Sequence, residues 1–293
     1  MNNTEESNSI FRFERIFVAV LALASALILI YLAVQGPLFL NNIRYKTAEV
    51  INNQLIAQDI VNMFLLSPVL IAGAISLIFR KPAAGYLLII TPLYLIYYAL
   101  SYTIGWEWSS SQYSGNNEQY TFWFLFILIS SLIILLYSLT LLPSDTKAEF
   151  SRKGLVIYTF FLLLLLLIFA SMWIKEILEV ISTGTTRGYD IAPTAFWLVR
   201  TFDLGFTVPL GIISVYLLWT RPGSSFRIQF LFYGFFMTMI IAVNAMGFIM
   251  LIKKDPTFMM RDLIVFLVLA IIIFSGFLFI FRSYRIRDKQ LMK

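Results

Sequence analysis

The sequence predicts an all-α fold, a polytopic transmembrane helical bundle of eight spans, and three observations carry that prediction. Apolar residues fall in runs of about twenty, the length a helix needs to cross a bilayer, rather than at the spacing of a core-facing stripe. Hydrophobic residues make up 60% of the chain and charged residues only 13%, a balance that leaves a water-soluble surface nothing to be built from. The runs also lack the alternating polar residues of a transmembrane β-strand. Lipid offers no partner to a backbone amide, so each run has to be a helix that satisfies its own hydrogen bonds.

The polar leader MNNTEESNSIFRFER reads as frayed, and the first span follows from Ile16 to Gln35. A cleaved signal peptide would have a shorter apolar core and a small-residue cleavage site after it, whereas this run ends at Gln35-Gly36-Pro37 and reads as a retained span. Further spans are expected at Asp59–Phe79, Ala84–Ile104, Tyr120–Leu142 and Leu155–Ile174, then at Thr201–Thr220, Ile228–Leu251 and Met260–Phe281. Pro68, Pro92 and Pro209 should bend their helices, since proline removes an intrahelical donor. Residues 1–293 form one membrane domain in this reading, divided into four-helix halves at 1–150 and 151–293.

The division rests on an internal repeat. The second span (DIVNMFLLSPVLIAGAISLIFRKP) and the sixth (DLGFTVPLGIISVYLLWTRP) each open on an acid, Asp59 or Asp203, carry a proline, Pro68 or Pro209, and close on a basic-Pro turn. The next element ends near a glycine, Gly105 or Gly247. Two halves of four spans keep the same orientation, which places the pseudo-two-fold axis along the membrane normal. The stretches Gln58–Gly105 and Asp203–Gly247, about a third of the chain, resemble the two signature regions of a group of prokaryotic polytopic membrane proteins with no assigned function. The resemblance implies a duplicated 4+4 helical architecture in a plasma membrane and brings no substrate, cofactor or catalytic residue with it.

Charge sets the expected orientation. An eight-span chain puts Arg12, Arg15, Arg80, Lys81, Lys147, Arg152, Lys153, Arg221, Arg227 and the five basic residues from Arg282 to Lys293 on one face. Arg44, Lys46, Lys175, Arg187, Arg200, Lys253, Lys254 and Arg261 fall on the other. The richer face should be cytoplasmic, with both termini. The opposite face has long connections near 36–58, 105–119 and 175–200, and there lie Trp106, Trp108, Trp123, Trp173 and Trp197, with Trp219 alone inside. An interfacial aromatic belt explains those tryptophans, and an aromatic-lined outer pocket is the sharper alternative.

Composition also narrows the chemistry. The chain has no cysteine and no histidine, so thiolate catalysis, disulfides and the commonest metal ligand and general base are missing. There is no P-loop, dinucleotide fingerprint, nucleophile elbow or HExxH motif, and no cofactor is implied. Basic residues are dispersed, so the net charge of +6 belongs to loop topology rather than to nucleic acid.

Candidate ligand-binding residues are Asp59, Asn62, Arg200, Asp203 and Asn244. Asp59 and Asn62 share a helix face at i, i+3, and Arg200 can pair with Asp203 at the same spacing. Asp59 and Asp203 read either as anions at helix N-termini or as ligands for a cation, a proton or a polar molecule between the halves. Asn244 lies deep in the seventh span, where interhelical hydrogen bonding is the plain explanation. Tyr94, Tyr98 and Tyr102 form an i+4 stripe suited to packing. Glu176, Glu179 and Asp190 could hold a hard cation but fit a solvated face equally well.

Three functions follow: a transporter or ligand-binding protein with an outward-facing site between the halves; an accessory or sensory subunit acting on a membrane protein partner; and a membrane-embedded enzyme using carboxylates. The expected partners are the lipid bilayer and a small polar ligand or ion.

Overall fold

The computed structural model describes residues 2–144 and 146–285, with side chains from Arg12 to Tyr284. Most of the expected basic tail therefore lies outside the described residues. Eight helices are long and apolar enough to cross a membrane: Arg12–Gln35, Glu49–Ile78, Ala83–Ile104, Asn117–Leu141, Arg152–Thr183, Pro193–Thr220, Phe226–Ile252 and Met260–Ser283. They are called the first to the eighth span below. The leader expected to fray is helical from Asn2.

Several helices outrun their apolar runs. The second span begins at Glu49, ten residues before Asp59, and the sixth at Pro193, ten before Asp203. The fifth continues to Thr183, where Gly184, at φ 76°, supplies the left-handed residue that closes it. The supposed long connection at 175–200 is thus mostly helix, with a short helical turn at Arg187–Ile191 between the fifth and sixth spans. Asp59 and Asp203 accordingly lie inside helices and cap neither N-terminus, which removes the simplest structural explanation for them.

The prolines act in two ways. The third span breaks, with helix at Ala83–Leu88 and again at Pro92–Ile104. In the second and sixth spans the turn before the proline widens instead into a π-helical turn, Asn62–Leu66 before Pro68 and Asp203–Thr207 before Pro209. There the Ser67 N–H bonds to the Asn62 carbonyl and the Val208 N–H to that of Asp203, each five residues back. A wider turn makes room for the pyrrolidine ring, which would otherwise press on the carbonyl four residues before it.

The first four spans form a closed ring in which each packs on its chain neighbours and the fourth returns to the first. Close approach is built from small residues: Ala19, Ala22, Ser25, Ala26 and Ala33 of the first span are fully buried or nearly so. Ser25 shares a 2.7 Å hydrogen bond with Ser130 of the fourth span, and the Ser67 hydroxyl donates to the Ala26 carbonyl. Such contacts hold helices together where the hydrophobic effect cannot choose between a neighbour and lipid. The second half does not repeat this ring. Its seventh span packs mainly on the eighth span and on the start of the second. The fifth and eighth spans stay peripheral, with Phe160, Leu164, Leu167, Val268 and Ile271 among their exposed residues.

The loops gather at two ends. At one, a short antiparallel ladder joins Lys147–Ala148 to Tyr284–Arg285, Arg227 donates to the Leu142 and Pro143 carbonyls, and the Tyr284 hydroxyl meets Ser225 and the Pro222 carbonyl. Burial pushes the Tyr284 phenol up to about 12, against the opposing Ser225 hydrogen bond. At the other end, Glu107 of the first half accepts the Thr194 N–H at 2.8 Å and its hydroxyl at 2.9 Å, so an acid from one half caps a helix of the other. Nearby, Asn53 donates to Asp255 at 2.6 Å.

Candidate functional site

Between the halves lies a cavity of about 410 Å³, reaching inward from the end that holds Glu107 and Thr194. The first half contributes the start of the second span and the C-terminal part of the third with the residues after it, among them Gln54, Gln58, Tyr94, Tyr97, Tyr98, Tyr102 and Trp106. The second half contributes Phe169 and Trp173 of the fifth span, Arg200, Asp203 and Thr207 of the sixth, and apolar side chains of the seventh and eighth. The size and the mainly apolar and aromatic lining with a few convergent polar groups match a small-molecule site.

The polar groups are positioned by their helices. Asp203 is the first residue of the π turn and only 5% exposed. Its Oδ2 accepts the Trp173 indole N–H at 3.0 Å and its Oδ1 the Thr207 hydroxyl at 3.2 Å, one turn further on. Arg200 does not close on Asp203 as its spacing allows. Its guanidinium pairs with Glu176 on the fifth span, with Nε at 3.1 Å from Oε2. It also stacks on Trp173 and Phe196, at 4.3 Å and 3.9 Å from their ring centroids. The result is a fixed cation beside a carboxylate that keeps neutral donors as its partners. Glu176 is therefore an ion-pair partner, Asp190 accepts from the Thr185 hydroxyl, and no cluster of three acidic metal ligands occurs among the described residues.

The remaining candidates go elsewhere. Asn244 donates to the Ile240 and Phe266 carbonyls at 2.8 Å and 3.1 Å, which makes it a staple between the seventh and eighth spans. Asp59 and Asn62 do not line the cavity, although Asp59 lies near Tyr98 and Tyr102 of its wall and Asn62 near Tyr98. The tyrosine stripe packs as expected, Tyr94, Tyr98 and Tyr102 being buried core residues, and it also forms one cavity wall. The Gln58 amide donates to the Tyr94 hydroxyl, fixing that wall to the second span. The tryptophans divide: Trp106 and Trp173 line the cavity, while Trp108, Trp123, Trp197 and Trp219 are exposed.

Sequence reasoning missed Glu107, Gln58 and Thr207. Glu107 had a weak signal, an acid between Trp106 and Trp108; its partner Thr194 lies 87 residues away and had none. No family model, characterised protein or solved structure matches this chain significantly, so its geometry carries the functional reading.

Proposed function

We propose that the chain is a multi-pass membrane protein that binds an amphipathic small molecule in the cavity between its halves, as a transporter or ligand-binding protein. The carrying observation is that both halves line one mainly apolar cavity whose wall also holds Asp203 and Arg200. An apolar body would pack on the tyrosines, Phe169 and the seventh span, while its polar end met the carboxylate and guanidinium. A wholly polar solute would leave most of the lining unsatisfied. The matched π turns before Pro68 and Pro209 favour a duplicated origin for the second and sixth spans. The distribution of lysine and arginine favours a cytoplasmic location for the end holding the Tyr284 ladder, in a plasma membrane.

The test is native mass spectrometry of the gently solubilised protein, comparing wild type with Ala242→Phe and Asp203→Asn. Ala242 is 2% exposed and on the cavity wall, so a phenyl ring there occupies the ligand's space. Wild type should carry a lipid-like adduct that Ala242→Phe loses and Asp203→Asn holds about tenfold more weakly, the loss expected for one hydrogen bond to a charged group. A folded wild type without any adduct, or one retained equally by all three proteins, refutes the proposal.

A further inference from the structure

Asp59 does not line the cavity and lies near Tyr98 and Tyr102 of its wall, with Gly36 and Leu38 against its carboxylate. Its side chain is 2% exposed. It receives one long hydrogen bond, 3.4 Å from the Leu38 N–H, and no ion pair among the described residues involves it. Three tyrosines lie within its field, Tyr45 from the outer loop and Tyr98 and Tyr102 from the third span, but none closes a hydrogen bond onto it. The hydroxyls of Tyr45, Tyr98 and Tyr102 and the Oδ1 of Asn62 are all buried without a hydrogen-bond partner among the described residues. Buried oxygens of this kind are rare and call for a bound species, and a buried carboxylate without a countercharge is costlier still.

We infer that this pocket is a binding site for one small alkali cation, held by the Asp59 carboxylate, the Asn62 amide oxygen and the phenol oxygens of Tyr45 and Tyr102. The donors are all hard oxygens, which suit an alkali or alkaline-earth ion rather than a transition metal. One carboxylate balances a single positive charge, whereas divalent sites ordinarily gather more acids. Gly36 closes the carboxylate off on one side, since a methyl added there would stand 2.5 Å from the Asp59 Oδ2. The aromatic packing of Tyr45 on Tyr102 and Trp106, with centroids 5.3 Å and 4.5 Å apart, holds the phenol oxygens in place.

The site is tested by thermal unfolding of the purified full-length protein in sodium, potassium or choline chloride at one ionic strength. Sodium should raise the midpoint saturably over choline, in wild type and in Asp203→Asn, because a ligand of the native state stabilises it by mass action. Asp59→Asn should raise the half-saturating sodium concentration by about tenfold or more. Tyr102→Phe, which deletes one oxygen and keeps the ring, should raise it by about threefold. A wild-type midpoint that does not distinguish sodium or potassium from choline overturns the inference, as does an undiminished response in Asp59→Asn. Should Asp59→Asn fail to fold, Tyr102→Phe decides, and an unchanged half-saturation there overturns it as well. The Asp203→Asn control separates this outcome from failure of the cavity proposal.

Discussion

The two halves use similar sequence signals to build different packing. In the first, alanines and serines at helical spacing bring the first span against the second and fourth, and the four helices close into a ring. In the second, the corresponding first helix carries six consecutive leucines, Leu162–Leu167, of which Leu163, Leu164 and Leu167 are exposed. Small side chains let backbones approach and make contacts that lipid cannot replace, whereas leucine packs as well on an acyl chain as on a helix. The cavity lies where the closed half meets the open one, with a rigid tyrosine wall on one side and loosely held helices on the other.

The contrast is most directly broken by volume. Ala22→Leu forces a branched side chain into a fully buried contact of the first span and should cost about 1–3 kcal/mol or prevent folding. Leu164→Ala, on the exposed face of the fifth span, should stay within about 0.5 kcal/mol of wild type. Melting curves in detergent compare them, and equal losses would show that the second half is as tightly packed as the first.

A smaller effect is expected at the seam. Glu107→Gln weakens the cap on the sixth span and should cost about 1 kcal/mol. Hydrogen exchange should accelerate in the first turns from Pro193 while the first span is unaffected. Acceleration spread over both halves would mean that Glu107 supports that whole end of the bundle.

The smallest effect concerns Asp255. Partial burial pushes its carboxyl up, but hydrogen bonds from Asn53 and Thr257 outweigh that and hold it below the ordinary carboxylate range. Its folded pKa being depressed, its contribution to stability is fully present above the unfolded value of about 4 and is lost as pH falls through the folded value. In pH-dependent melting, Asn53→Ala should therefore flatten the acid limb below about pH 4. A limb identical to wild type would place the acid sensitivity elsewhere.

The number and order of the spans were legible in the sequence because hydrophobic length is a direct demand of the bilayer. Helix ends were not, since Asn52–Gln58 is helical without being apolar and the apolar stretch Ala195–Val199 is set off from the run that follows by Arg200 and Asp203, and hydropathy marks lipid rather than helix. The prolines announced distortion without its form. That mattered for the site: matching the second and sixth spans by their acids pairs Asp59 with Asp203, three residues out of step. Counting back six residues from each proline pairs Asn62 with Asp203, both opening a π turn. Only Asp203 lines the cavity, so the two acids lie in different surroundings. Trp173 and Glu176 take up Asp203 and Arg200 from another helix, a tertiary outcome that local spacing does not contain.

The pairing of Lys147–Ala148 with Tyr284–Arg285 also orders events in time. The loop between the halves is synthesised before the four spans whose far end must return to it. Its edge stays open while they are made, and the clasp fastens only after the eighth helix is complete. The end of the chain is thereby registered twice, against Lys147–Ala148 at the midpoint and, through the Tyr284 hydroxyl, against Ser225 and the Pro222 carbonyl between the sixth and seventh spans.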